Sequence, residues 1–324
     1  MTGYSTFDQP TSPNLPLVTT LPDNSAPAYV FAYLSNIYVA LSGINTVGLL
    51  SPGLAGLQSQ VPVGTTPVAI AGLANGSKVY VANQGSNDVS VIRTSDNTVS
   101  ATIAVGTAPS FVVASPDSKY AYVVNRGSGN ISVIDAGTDA VINTVAVGAT
   151  PNFAAFDARN LRVYVTNSGA NTITAIHADP NQVPTATPPC TTNCFLTTTT
   201  ITVGNSPVSL TPLADGTRIY VANSGSNSVS VVSGLSLAVQ TTLTVPVTSG
   251  ALKPVFLASS PDSTKVVVAF QDTATVTAAD PDESAIVTIR TSDHLLTTIP
   301  APTTPCANPL LSCRMKPVFV MLTP

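Results

Sequence analysis

A five-residue marker, V-G-x-x-P, recurs at Val63–Pro67, Val105–Pro109, Val147–Pro151 and Val203–Pro207, with looser copies at Gly250–Pro254 and Lys316–Pro317. Its prolines stand at 67, 109, 151, 207, 254 and 317, so successive steps are 42, 42, 56, 47 and 63 residues. A chain that restates itself at such a period builds one supersecondary unit per period and buries each unit against its neighbours. A unit of 42 residues has the length of a four-stranded propeller blade, and the longer steps read as the same unit carrying insertions.

The unit from Val105 to Val147 shows the plan. After Pro109 comes an apolar run, Phe111–Ala114, then the turn Ser115-Pro116-Asp117-Ser118. Tyr120–Asn125, the tight turn Arg126–Asn130, Ile131–Asp135, the turn Ala136–Asp139 and Ala140–Val147 complete it. Four short apolar segments separated by turn residues at near-even spacing predict four antiparallel strands rather than βαβ units. Sheets with two apolar faces cannot bury them alone, so radial stacking is expected. The fold class is therefore all-β: a β-propeller of four-stranded antiparallel blades, six by the marker count. The repeated Tyr80, Tyr122, Tyr164 and Tyr220 are expected to pack between sheets.

The ends suggest how the ring closes. Pro317–Pro324 matches Pro254–Pro261, a first strand with nothing after it, and Tyr29–Asn36 aligns with Tyr80–Asn87, a second strand and its turn. In that register the C-terminal strand completes the N-terminal blade. A second register makes residues 28–33 a first strand and leaves room for a seventh blade. Residues 1–26, rich in Pro, Ser, Thr and Asn, read as an extended tether. The composition is that of the segment behind the lipidated cysteine of bacterial surface lipoproteins. Residues 27–324 read as one propeller domain with insertions at 179–196, 271–284 and 301–316.

The runs Val79–Asn83, Tyr122–Asn125, Tyr164–Asn167 and Ile219–Asn223, with the S-P-D turns at 115–117 and 260–262, resemble the YVTN-type β-propeller repeat. The resemblance implies the propeller fold and a secreted or surface-exposed protein. Related propellers include lactonases, and the resemblance does not separate these from binding scaffolds.

Only 9% of the 324 residues are charged, and the net charge is −4. Nucleic-acid binding needs clustered cations to displace counterions, and the twelve basic residues are scattered. No apolar run is long enough to span a membrane. Cys190/Cys194 and Cys306/Cys313 form two short pairs in loop-like segments, read as two disulfides and hence an extracellular, periplasmic or cell-surface location.

The expected ligand end is the one shared by the V-G-x-x-P segments and the turns after Asn83, Asn125, Asn167 and Asn223. With Asp88, Arg126, Lys253 and Lys316, these asparagines are the candidate ligand-binding residues, set against their ordinary role in turn chemistry. Asp272, Asp280, Asp282 and Glu283 form a candidate oxygen-donor set for Ca²⁺, although they lack the spacing of a calcium loop. No other cofactor is expected. The two histidines, His177 and His294, fall in different repeats with no nucleophile at fixed spacing, so a triad is not indicated. These features point to a surface binding or scaffold protein with a protein or glycan partner. Two alternatives stand beside it: a metal-dependent, lactonase-like hydrolase, for which three or more of Asp88, Asp272, Asp280, Asp282 and Glu283 should converge, and a component that self-assembles through its tether.

Overall fold

The computed structural model describes residues 21–33, 36–51, 56–178, 195–244, 252–272 and 285–300. Every regular element among them is a β-strand, and no helix there is long and apolar enough to cross a membrane. The strands form six four-stranded antiparallel sheets in two compact units, 1–146 and 147–324.

In the first unit, one sheet holds β1 (Pro27–Tyr33), β2 (Asn36–Leu41), β3 (Thr46–Leu50) and β4 (Ser59–Pro62). The next holds β5 (Pro67–Gly72), β6 (Lys78–Asn83), β7 (Asp88–Arg93) and β8 (Thr98–Ala104). The third holds β9 (Pro109–Ala114), β10 (Tyr120–Asn125), β11 (Asn130–Asp135) and β12 (Ala140–Ala146). The second unit repeats the plan. Its sheets are β13 (Pro151–Asp157), β14 (Arg162–Asn167), β15 (Thr172–His177) and β16 (Thr198–Thr202); then β17 (Pro207–Pro212), β18 (Arg218–Asn223), β19 (Ser228–Ser233) and β20 (Val239–Thr244); then β21 (Leu252–Ser259), β22 (Lys265–Asp272), β23 (Ala285–Arg290) and β24 (Leu296–Pro300).

The predicted strands of the Val105–Val147 unit match β9 to β12 within two residues. Of the two N-terminal registers, the one that makes residues 28–33 a first strand holds, and the other needs correction. Residues 27–33 are a first strand, and the sheet draws all four strands from residues 27–62, so Tyr29–Asn36 is not a second strand awaiting a C-terminal partner. The reason is a degenerate marker. Pro27 sits at a register shift where Pro27 faces Leu41 and Tyr29 faces Ala40, as Pro67 and Ala69 face Asn83 and Ala82. The same shift follows Pro151, Pro207 and Pro254. A proline cannot donate to the ladder and is tolerated at such a bulge. Asn24-Ser25-Ala26-Pro27 keeps that proline but has lost the Val-Gly that announces it elsewhere. The expected closing strand, 317–324, lies outside the described residues, as do most of the 179–196 and 271–284 insertions and all of 301–316. The two expected disulfides fall there too. Cys190 and Cys194 in the first of these insertions, and Cys306 and Cys313 in the last, all lie outside the described residues, and no disulfide occurs among the described ones.

Second and third strands are buried nearly throughout, while fourth strands are exposed: β10 and β11 against β12 in the third sheet, for example. The fourth strands hold no charged residue and are richest in Thr, with Val, Ala, Ile and a few amides. A bulge breaks the pairing of β8, β12 and β20, while β16 pairs without one. Between sheets the cores are continuous. Tyr38, Val47 and Leu49 of the first sheet meet Ile70, Val81 and Ile92 of the second. Tyr80, Val89 and Val91 meet Val112, Val123 and Ile134 of the third. In the second unit, Tyr164 and Ile173 meet Leu210 and Val221, and Tyr220 and Val231 meet Val268 and Phe270. Each such side chain contributes about 1.5–3 kcal/mol when fully buried.

A polar latch accompanies this packing. The tyrosine of a second strand reaches a left-handed residue in the turn between the third and fourth strands of the following sheet. Tyr38 Oη donates to Asn97 Oδ1 at 3.3 Å, Tyr80 Oη to Asp139 Oδ1 at 3.1 Å, and Tyr220 Oη meets His294 Nδ1 at 3.3 Å. Asn97, Asp139 and His294 have φ of 54°, 53° and 60°. Burial and the Arg218 guanidinium hold His294 below its ordinary pKa, which favours the neutral ring that can accept. Beneath Tyr80, Lys78 Nζ lies 2.8 Å from Asp139 Oδ2 and 2.8 Å from the Ala136 carbonyl. At the equivalent place for Tyr164 stands Leu237, also left-handed at φ 54°. Leucine has no acceptor, so the buried Tyr164 hydroxyl makes no bond to that turn. Its interaction is instead with the Arg162 side chain of its own strand, which acts on the phenol by charge and by hydrogen bonding while Nη1 donates to the Gly234 carbonyl at 2.7 Å.

Candidate functional site

The predicted ligand end is built from two loops per sheet, and backbone hydrogen bonds zip them together. Gly85 N donates to the Thr65 carbonyl and Gln84 N to that of Thr66, both at 2.9 Å. Gly127 to Thr107, Gly169 to Ala149 and Gly225 to Asn205 repeat the contact at 2.9, 3.1 and 2.9 Å.

Inside this zipper lie the four predicted asparagines, each 0% exposed. Asn83 Nδ2 donates to Asp88 Oδ1 at 2.7 Å and Ser90 Oγ at 2.9 Å. Asn125 donates likewise to Asn130 and Ser132, Asn167 to Thr172 and Thr174, and Asn223 to Ser228 and Ser230. The amide nitrogens therefore tie a second strand to the third strand that follows it. Their Oδ1 atoms are buried with no hydrogen-bond partner among the described residues. The marker glycine follows from this packing. A Cβ on Gly64 would fall 2.6 Å from Asn83 Nδ2, and one on Gly106 or Gly148 2.7 Å from the Asn125 or Asn167 amide.

A second set of asparagines, not singled out from sequence, joins neighbouring sheets. Asn45 Oδ1 accepts from Thr66 N at 2.9 Å, Asn87 from Ala108 N at 2.8 Å and Asn171 from Ser206 N at 2.9 Å. Both partners are left-handed: φ is 57°, 58° and 56° for the asparagines and 54°, 49° and 48° for the residues before proline. Asn tolerates that region better than Thr, Ala or Ser. The hydrogen bond helps to hold the strained residue. Serines cap the remaining loop amides: Ser86 Oγ accepts from Thr65 N at 3.0 Å, Ser128 from Thr107 N at 2.5 Å, and Ser226 from Asn205 N at 3.0 Å. A signal existed in the recurring S-N pairs at 86–87 and 226–227, but it reads as turn composition until the acceptors are seen.

Asp88 shares its site with Asn83, Arg126 is exposed in the adjacent sheet, and Lys253 stands on β21 of the second unit. Asp280, Asp282, Glu283 and Lys316 lie outside the described residues with Cys190, Cys194, Cys306 and Cys313, and Asp272 is described only as the last position of β22. Among the described residues no three His, Cys, Asp or Glu side chains come together. His177 is buried in the fourth sheet, whereas His294 belongs to the sixth.

Aromatic side chains from first strands meet within each unit, bridging sheets that are not sequence neighbours. Tyr29 of β1 and Phe111 of β9 pack edge-on at 5.7 Å, and Phe153 of β13 and Phe256 of β21 at 6.0 Å. Burial pushes the Tyr29 phenol up to about 12. Within each unit, first strands of its two outer sheets thus share an apolar contact.

A family model for the lactonase, seven-bladed β-propeller matches residues 51–294. The chain belongs to that family. The match is to the lactonase propeller rather than to the YVTN-type repeat that the tyrosine motifs suggest; the family description counts seven blades, and the described residues form six sheets. Solved structures agree on the fold. A candidate 6-phosphogluconolactonase from Bacteroides fragilis superposes with a TM-score of 0.67 at 15% identity, covering 87% of this chain and 85% of that one. Its counterpart from Bacteroides uniformis gives 0.65 at 16% identity, covering 87% and 86%. A functionally unknown protein from Desulfotomaculum acetoxidans gives 0.64 at 18%, covering 82% and 79%. At these identities the likeness concerns the fold. No curated protein matches by sequence.

Proposed function

We propose that this lactonase-family propeller is a hydrolase that opens a small cyclic ester. The observation that carries the reading is the family match over residues 51–294, supported by the fold shared with the two candidate 6-phosphogluconolactonases. Lactone opening needs a water molecule delivered to the ring carbonyl by a base, and a donor for the oxyanion that develops there. Asp272, Asp280, Asp282 and Glu283 are the acids proposed for the base, or for Ca²⁺ in a metal-assisted version. Lys253, on the same unit as these acids, is the proposed donor. Asp88 is the less suitable base, because Oδ1 already accepts from Asn83 and the equivalent residues Asn130, Thr172 and Ser228 do the same work uncharged.

The test is acid release from a panel of γ- and δ-lactones by the full chain, followed in weak buffer with an indicator dye. Turnover that falls in Asp280→Asn, Asp282→Asn or Glu283→Gln supports the reading, and loss of turnover with a calcium chelator selects the metal-assisted version. Hydrolysis no faster than the protein-free blank across the panel overturns it in favour of a binding propeller.

A further inference from the structure

We infer that the loop before β13 is a binding site for a carboxylate-type oxyanion, held by the backbone amides of Ala149 and Thr150. Four V-G-x-x-P loops share one plan, and three of them spend the two amides before the proline inside the protein. Thr65 N and Thr66 N donate to Ser86 Oγ and Asn45 Oδ1 at 3.0 and 2.9 Å. Thr107 N and Ala108 N donate to Ser128 Oγ and Asn87 Oδ1 at 2.5 and 2.8 Å, and Asn205 N and Ser206 N to Ser226 Oγ and Asn171 Oδ1 at 3.0 and 2.9 Å. For the loop Val147–Pro151 the sequence changes both acceptors. The turn zipped to it reads Asn167-Ser168-Gly169-Ala170-Asn171, where the next sheet has Asn223-Ser224-Gly225-Ser226-Asn227, so alanine replaces the capping serine. The turn that precedes it in the chain carries Gly129 at the repeat position of Asn45 and Asn87, left-handed like them at φ 66° but without a side chain. Ala149 N and Thr150 N accordingly have no acceptor among the described residues.

The loop is held as firmly as the filled ones. Ser168 N and Oγ donate to the Thr150 carbonyl at 3.1 and 3.0 Å, and Gly169 N to that of Ala149 at 3.1 Å. Thr150 is left-handed at φ 52°, and Ala149 is exposed. Consecutive backbone N–H groups at such a turn form a concavity that suits an anion, and donors fixed in advance cost no reorganisation when charge arrives. Behind the loop, Asn167 is fully buried and its Oδ1 has no hydrogen-bond partner among the described residues; a Cβ on Gly148 would fall 2.7 Å from its Cγ. The same unit supplies a cation. Phe153 and Phe256, each two residues after its proline, pack at 6.0 Å, and Lys253 precedes Pro254 as Thr150 precedes Pro151. Binding of a carboxylate stands on this geometry alone, whereas a part in catalysis rests on the hydrolase reading above. There, water adds to the ring carbonyl as its proton passes to the base, and the carbonyl π pair becomes an oxyanion facing the two amides. The pair returns as the ring C–O bond breaks and the ring oxygen takes up the proton, which leaves the carboxylate of a hydroxy acid in the same place.

Amide resonances of the ¹⁵N-labelled full chain, titrated with acetate and with gluconate, decide the matter. Ala149 and Thr150 should shift downfield and saturate, while Thr65, Thr107 and Asn205 stay in place. Ala170→Ser restores the serine cap and should abolish the shift of Ala149 with Tm unchanged or higher. On a lactone that the chain opens, the same variant should lower kcat by about a hundredfold, the cost of one oxyanion donor; an unchanged kcat removes the amides from the catalytic step. Shifts no larger than those at the filled loops, or a shift of Ala149 that survives Ala170→Ser, overturn the inference and leave the hydrolase reading intact. The expected shifts in a chain that opens no lactone of the panel overturn the hydrolase reading and keep the loop as the carboxylate site of a binding propeller.

Discussion

The latch between sheets makes the same substitution cost different amounts at two repeat-equivalent positions. Tyr80 and Tyr164 are both 0% exposed. Tyr80 Oη donates to the Asp139 carboxylate, whereas Tyr164 Oη finds no acceptor at Leu237 and interacts with Arg162 of its own strand. Tyr80→Phe removes a bond to a charged acceptor and is expected to cost about 2 kcal/mol. Tyr164→Phe removes a buried hydroxyl that has no acceptor in the following sheet and keeps only its contact with Arg162, so it should cost less, about 1 kcal/mol or under. Leu237→Asn approaches the defect from the other side. It supplies an acceptor, worth about 1 kcal/mol, and relieves a leucine at φ 54°, worth about 1 kcal/mol. Against these stands the loss of a half-buried leucine, about 1 kcal/mol, for a net gain of about 1 kcal/mol. Urea midpoints read these differences directly, and Tm should move by about 2 °C per kcal/mol in a chain of this length. The double variant Tyr164→Phe/Leu237→Asn closes the cycle: in it the acceptor should contribute nothing. If Tyr164→Phe destabilises as much as Tyr80→Phe, or if Leu237→Asn helps equally with and without the hydroxyl, the latch is not what these residues do.

Other outcomes follow from the loop zipper and from burial. Asn87→Ala should lower stability by about 1–2 kcal/mol by removing the acceptor for Ala108 N and placing alanine at φ 58°; Asn87→Gly should cost less, and equal losses would show that backbone strain is not involved. Gly106→Ala should cost about 1–3 kcal/mol, since its Cβ would meet the Asn125 amide at 2.7 Å, while Gly137→Ala, with 3.2 Å to Asp135, should be tolerated; thermal denaturation of the two compares them. The Tyr29 and Tyr164 phenols are pushed by burial from 10.0 up to about 12. A phenol with a raised pKa in the folded state contributes stability that is full below pH 10 and declines as pH rises through 12. Tm should therefore fall over that window, and Tyr29→Phe should flatten the fall; an unchanged slope would remove Tyr29 from the account.

The sheets were legible because each strand is a short apolar run between turn residues, and because 42-residue steps leave little room for another plan. The first sheet was legible only as one of two registers, since Asn24–Pro27 retains only the bulge-forming proline of its marker and Tyr29–Tyr33 is as apolar as any second strand. The asparagines of the candidate site were found by position, but their burial was invisible. A turn asparagine that faces solvent and one whose Nδ2 is taken by a serine seven residues on look alike in a string of letters. The aromatic contacts Tyr29–Phe111 and Phe153–Phe256 join residues 82 and 103 positions apart, beyond any local pattern. The family was approached through its tyrosine runs, which report sheet packing and therefore carry fold information with little bearing on chemistry.

The uncharged fourth strands have a consequence for handling the protein. None of the six contains lysine or arginine, so trypsin has no cleavage site in the most solvent-accessible strand of any described sheet. Limited digestion should enter through the turns and the inserted segments and leave these strands whole. With no group there to titrate or be screened, this hydroxyl-rich surface should keep the same character from acid to alkaline pH and from low to high salt.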